Sequence, residues 1–210
     1  MDIGKVVISA NTSWNLVNFR KGLICALVAA GYEVVAVSPH DKYVPKLKEL
    51  GCHVVELPID MHGRNVGRDM LLFFRYVMIM RKHMPIIYLG FTVKPNIYGS
   101  IAAHINGIAV VNNIGGLGAV FSRKGGWLLY LLRLLYRRAL SRSHKIFFQN
   151  KDDYLTFIKE GIINNQLTDQ LPGSGIDLEW FSYVPKIIGK NNIINCNWLT
   201  ILPKNIILKF

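Results

Sequence analysis

A chain of 210 residues with 51% hydrophobic and 11% aromatic content carries enough apolar material for a buried core, which excludes global disorder. Its 3 cysteines, Cys25, Cys52 and Cys196, leave at least one unpaired and show no CxxC spacing, which argues against a disulfide scaffold and a zinc finger. The charge is concentrated: from Met70 to Lys151 there is no Asp or Glu, while Arg75, Arg81, Lys82, Lys94, Arg123, Lys124, Arg133, Arg137, Arg138, Arg142, Lys145 and Lys151 match the whole net charge of +12. Such a segment faces an anionic partner, or sets up a strong positive field in water.

The run Ile3 to Ser9 is short, apolar and β-branched, as a buried strand is. Past the polar loop Ala10 to Ser13, the spacing of Leu16, Phe19, Leu23, Leu27 and Ala30 predicts a helix over Asn15 to Ala30, with Gly31 at its C-cap. The alternation continues with a strand Tyr32 to Ser38, a helix Tyr43 to Leu50 ended by Gly51, and a strand Cys52 to Leu57. A helix Arg68 to His83 stops at Met84 before Pro85. Then follow a strand Ile86 to Phe91, a helix Pro95 to Ile105 with proline in its first turn, and a strand Ile108 to Asn113. Beyond the Gly115 to Gly118 turn lie an apolar, arginine-rich helix Gly126 to Ser141, a strand Lys145 to Gln149, and a short helix Asp152 to Glu160 closed by Gly161. This order predicts an α/β fold with a parallel sheet.

The character changes from about Tyr183. Over Val184 to Phe210, Ile, Asn and Lys fill most positions and neither the helical nor the strand period holds. The expectation is that residues 183–210 do not continue the domain, as a frame change in an A/T-rich gene would produce, with an ordinary β-rich extension as the alternative.

Three loops fall at the carboxyl edge of the predicted sheet, where open α/β folds bind ligands. In the first, Asn11, Thr12 and Ser13 offer small polar groups beside a helix N-terminus, and Thr12 or Ser13 can equally serve as a simple cap. There is no GxGxxG, so a nicotinamide site is not supported. In the second, Lys94 suits a diphosphate and Thr92 and Asn96 suit hydroxyls, although a loop lysine is ordinarily just solvated. In the third, Asn113 supplies an amide, and Gly115 and Gly116 permit close backbone approach or positive φ.

The helix Gly126 to Ser141 has a wide apolar arc, with Arg133, Arg137, Arg138 and Arg142 on another face. Its apolar run is too short to span a bilayer, which takes ~20 residues. It can lie in an anionic membrane surface with the arginines on headgroups and Trp127, Tyr130 and Tyr136 at the boundary, or form a core helix with a solvated basic face. The 6 histidines show neither HxH nor HExxH spacing, so no metal is assigned, and no Ser-His-Asp order assigns a catalytic group.

The runs Ser9 to Arg20, Gly90 to Ser100, Asn112 to Gly118, Phe148 to Asp153 and Leu171 to Asp177 together resemble the N-terminal domain of bacterial family 4 glycosyltransferases. The resemblance is strongest to capsule, O-antigen or exopolysaccharide enzymes that transfer galactose or N-acetylgalactosamine-type sugars. It covers about residues 1–182 and implies the Rossmann-like, doubly wound N-terminal half of a GT-B enzyme. It further implies a retaining transfer, without a metal or other cofactor, from a nucleotide sugar such as a UDP-sugar to an undecaprenyl-diphosphate-linked saccharide, at the cytoplasmic face of the cell membrane. Matching motif positions place Asn11, Thr12, Ser13, Lys94, Asn96, Asn113, Gly115 and Gly116 along the acceptor-side wall. The family's second half carries paired glutamates with seven residues between them, a spacing that no pair among Glu33, Glu49, Glu56, Glu160 and Glu179 shows. The expectation is therefore a chain without the donor-binding domain and inactive alone. The alternative is a non-catalytic module that binds a lipid-linked sugar or a separate subunit carrying the donor half. Nucleic acid is disfavoured as a partner, because the aromatics of the basic block sit among leucines on a helix rather than on a base-stacking sheet.

Overall fold

Valine, isoleucine and phenylalanine dominate most of the strands in a computed structural model of the chain, which describes residues 3–60, 65–116, 126–163 and 168–175. The strands are β1 (Lys5–Ser9), β2 (Glu33–Ser38), β3 (His53–Glu56), β4 (Ile87–Phe91), β5 (Ala109–Ile114), β6 (Lys145–Phe148) and β7 (Thr168–Gln170). They form one sheet in the order β3-β2-β1-β4-β5-β6-β7, parallel throughout. The register seats Ile8 between Ala36 and Leu89, so the centre of the sheet is apolar on both sides. Strand β7 was not anticipated, since Thr-Asp-Gln has no apolar residue by which to recognise it.

The helices are α1 (Ser13–Ala29), α2 (Val44–Glu49), α3 (Val66–His83), α4 (Ser100–Ile105), α5 (Trp127–Leu140) and α6 (Lys151–Lys159). A π-helical turn, Pro95–Gly99, leads directly into α4. Alternate strand residues feed two cores, as expected of a sheet covered on both faces. Val7, Val35, Tyr88 and Val110 pack with Leu72, Tyr76 and Met80 of α3 and Ala102 and Ala103 of α4, while Ile8, Val34 and Ala36 pack with Leu16, Val17 and Ile24 of α1 and Leu47 of α2. A third cluster joins Ile114, Ile146 and Phe148 to Tyr136 and Leu140 of α5 and Phe157 of α6.

Helix ends follow local chemistry. Thr12, Asn65 and Asn150 cap α1, α3 and α6 by accepting from the backbone N–H three residues on, at 3.0, 3.1 and 2.7 Å. Met84 ends α3 in the left-handed region, at φ 43, just before Pro85. The chain divides into the units Met1–Ser174 and Gly175–Phe210. Every element above belongs to the first, and of the second only Gly175 is described. Leu117 and Gly118 of the glycine turn, Ile176 and Asp177, and the tail 183–210 lie outside the described residues.

Candidate functional site

Strand order reverses between β1 and β4, since β1 leads outward to β2 and β4 leads the other way to β5. The carboxyl ends of the strands part there and leave a crevice. A cleft of about 510 Å³ opens there, lined by Asn11, Asn15, Phe19 and Arg20 from the β1–α1 region, by Phe91 to Lys94 and Asn96 at and beyond the end of β4, by Asn113 to Gly116 at and beyond the end of β5, and by Gln149 and Ser174 after β6 and β7. The three loops singled out from sequence therefore meet, joined by two further contributors.

Two loops are tied across the reversal by the Asn11 N–H, which donates to Thr92 Oγ1 at 3.1 Å. Thr92 holds φ 64, a conformation costly for a β-branched side chain, directly at the cleft. Lys94 lines the cleft and pairs with Asp69 in the first turn of α3, which also accepts from the Tyr98 hydroxyl at 3.0 Å. Burial and this carboxylate push the Tyr98 phenol well above its ordinary value. The acid that partly neutralises Lys94 stands one residue before the acid-free segment begins.

Asn96 is buried and spends its side chain within the protein. Its amide donates to the Asn113 carbonyl at 2.9 Å, and its Oδ1 accepts from Asn112 Nδ2 at 2.8 Å. Asn112 also reaches Ser100 Oγ at 2.8 Å and accepts from Ser143 at 2.6 Å, so a satisfied polar network underlies the cleft floor. Asn113 Oδ1 accepts from Gln149 Nε2 at 2.9 Å, and the same amide reaches Ser174 at 2.8 Å. A Cβ on Gly115 would come within 3.0 Å of Gln149 Oε1, whereas Gly116 has open space around it. Neither glycine adopts positive φ, so their value here is room rather than backbone conformation.

Two anticipated wall residues are not in the wall. Thr12 caps α1, and Ser13 is fully buried, bonded to Ser38 Oγ at 2.8 Å and to the Pro39 carbonyl at 3.0 Å; neither lines the cleft. Sequence reading missed Arg20, Asn15, Phe19 and Gln149. Buried Ser13, Val17 and Ile24 mark the inward face of α1, and Arg20 falls on that same stripe, while Leu23, expected inside, is 39% exposed. A cation interrupting an apolar stripe was the available signal. The Arg20 guanidinium lies 4.3 Å from the centre of the Phe91 ring.

On α5 the structure divides the expected membrane face. Trp127 and Tyr130 are exposed, as are Arg138 and Arg142. Tyr136, expected at a membrane boundary, is instead core, packed edge-on against Phe157 at 5.2 Å. Arg133 pairs with Glu160 at 2.8 Å, and Arg137 donates to the Gly161 and Glu160 carbonyls at 3.0 and 3.3 Å, which satisfies the end of α6. Among the described residues no helix is long and apolar enough to cross a membrane.

The model of the glycosyl transferase 4-like family matches residues 5–150, from the first strand to the cap of α6. The chain belongs to that family. A relative from Campylobacter jejuni, N,N'-diacetylbacillosaminyl-diphospho-undecaprenol alpha-1,3-N-acetylgalactosaminyltransferase, is 24% identical over 172 residues, covering 80% of this chain and 45% of the relative. The fold is similar to that of Anabaena Alr3699/HepE in complex with UDP and glucose, with a TM-score of 0.61, 14% identity, and coverage of 87% of this chain and 47% of that one. It is also similar to a glycosyltransferase from Rickettsia africae, with a TM-score of 0.60, 11% identity, and coverage of 85% and 45%. The chain thus spans about half the length of these relatives. Its fold is the Rossmann-like, doubly wound N-terminal half of a GT-B glycosyltransferase.

Proposed function

We propose that this chain forms the acceptor-side half of a retaining glycosyltransferase. That enzyme moves a hexose or N-acetylhexosamine from a nucleotide sugar to a lipid-diphosphate-linked saccharide in cell-surface polysaccharide assembly, without a metal. The family match over residues 5–150 carries the reading, and the cleft at the strand-order reversal supports it. Within that cleft Asn11, Lys94 and the open backbone at Gly116 hold the acceptor, while Asn96, Asn112 and Asn113 keep the loops in position. Stabilising a departing nucleoside diphosphate takes donors and positive charge aimed at the leaving oxygen, which this reading assigns to a donor-binding half. In this scheme the described residues supply the acceptor side of the cleft, and sugar transfer requires the donor-binding half as well.

The acceptor's lipid places the enzyme at the inner face of the cell membrane. Arg138, Arg142, Trp127 and Tyr130, all exposed on or next to α5, would rest on anionic headgroups there.

The test supplies the chain together with a donor-binding half, a radiolabelled UDP-hexose or UDP-N-acetylhexosamine, and a prenyl-diphosphate-linked sugar. Label entering the lipid fraction only when both halves are present is the expected result. Equal transfer by residues 1–210 alone, or no transfer with both halves across these donors, contradicts it.

A further inference from the structure

The cations that face the cleft are not equivalent. Lys94 has Asp69 beside it, whereas Arg20 makes no ion pair among the described residues. Its guanidinium carbon sits 4.3 Å from the centre of the Phe91 ring, one Nη donates to the Phe19 carbonyl at 3.2 Å, and Nε is sealed from solvent with no hydrogen-bond partner. Nearby on the same helix Asn15 Oδ1 is likewise buried and unmatched, and both residues line the cleft. Burial alone pulls the Arg20 guanidinium down to about 10, with no carboxylate offsetting it. A charge kept on the inward stripe of α1 without a counter-ion costs stability, and such costs are retained where a ligand repays them.

From this geometry we infer that Arg20 is the anion-binding residue of the cleft, taking a phosphate oxygen of a sugar diphosphate while Asn15 Oδ1 accepts from an adjoining hydroxyl. This rests on the glycosyltransferase reading, in which two substrates carry a diphosphate: the nucleotide sugar and the lipid-linked acceptor. A guanidinium held against an aromatic ring meets such an oxygen with little loss of side-chain freedom. The same aromatic support predicts that lysine replaces Arg20 only in part.

Calorimetric titration of the full chain with inorganic pyrophosphate tests the inference, alongside Arg20→Gln and Arg20→Lys. A charge-assisted bond at this site predicts that Arg20→Gln weakens pyrophosphate binding by about tenfold or more, with Arg20→Lys in between. The Tm of Arg20→Gln is expected to equal or exceed that of the wild type, because a partly buried charge without a counter-ion has been removed. Equal pyrophosphate binding by wild type and Arg20→Gln, or no binding by the wild type, overturns the inference. So does a lower Tm of Arg20→Gln, which would make Arg20 a piece of the scaffold. UDP and farnesyl diphosphate separate the two sources, since the one whose binding falls by the same factor in Arg20→Gln identifies the substrate. Pyrophosphate binding that depends on Arg20, with neither UDP nor farnesyl diphosphate bound, sustains the anion site and counts against the glycosyltransferase reading instead.

Discussion

Gly99 closes the π-helical turn against Tyr88, whose hydroxyl donates to the Pro95 carbonyl at 2.9 Å. A Cβ at Gly99 would run into that hydroxyl and its ring. Gly99→Ala is therefore expected to cost about 1–3 kcal/mol by overpacking, and to displace the segment that carries Lys94 and Asn96. Gly22 offers the opposite case: it lies within α1, and a Cβ there meets nothing within 4 Å. Gly22→Ala is expected to stabilise by about 0.5–1 kcal/mol, as alanine does in an exposed helix. Urea unfolding of both variants checks the pair, and shifts of the same sign would contradict it. Arg20, Asn96 and Gly99 also mark where single residues were hard to read. An asparagine in a sequence does not show whether its amide faces a ligand or a neighbouring carbonyl, and only the fold brings Asn96, Ser100 and Ser143 around Asn112.

At the scale of elements, the regular alternation of apolar runs with capped, 3.6-periodic segments left little freedom, and six of the seven strands were legible. Gly31, Gly51 and Gly161, predicted helix stops, hold φ of 87, 85 and 61. What escaped lacked a pattern. The π-turn at Pro95 shares its composition with an α-helix, and polar β7 is held by its parallel partner β6 rather than by apolar content. Helix α5 escaped in part, because its apolar and basic residues read equally well as an interfacial helix. Tertiary contact resolves it, with Tyr136 inside, Arg137 serving α6, and Arg138 and Arg142 exposed. Charge reversal for membrane binding therefore belongs at Arg138 and Arg142 and not at Arg137. Arg138→Glu with Arg142→Glu is expected to reduce sedimentation with anionic liposomes several-fold at low salt, while Tm stays near that of the wild type. Unchanged sedimentation would mean that α5 does not meet the membrane.

Across the whole molecule, the acid-free segment leaves a mark on stability. His104 in α4 is pulled down to about 4, chiefly by burial and then by Arg138, Arg142 and His144, with a backbone contact at Arg142 working weakly the other way. From an ordinary value of 6.5, the unfolded chain takes up a proton that the folded chain refuses. Stability therefore falls as pH is lowered from about 6.5 to about 4, and no further through this group below that. His83, lowered by burial and by His53, acts in the same direction. His104→Gln should flatten the Tm-against-pH curve in that window relative to the wild type, and parallel curves would remove the effect from His104. The same positive field, with its cleft at the β1/β4 reversal, is what an acceptor bearing a diphosphate would meet.

Acceptor binding in that cleft is tested most directly by hydrogen exchange of the full chain with and without a farnesyl-diphosphate-linked N-acetylhexosamine. Slowed exchange is expected in the Ala10–Arg20, Thr92–Gly99 and Asn113–Gly116 segments, with the opposite edge of the sheet unchanged. Protection elsewhere with these three segments unaltered would contradict it.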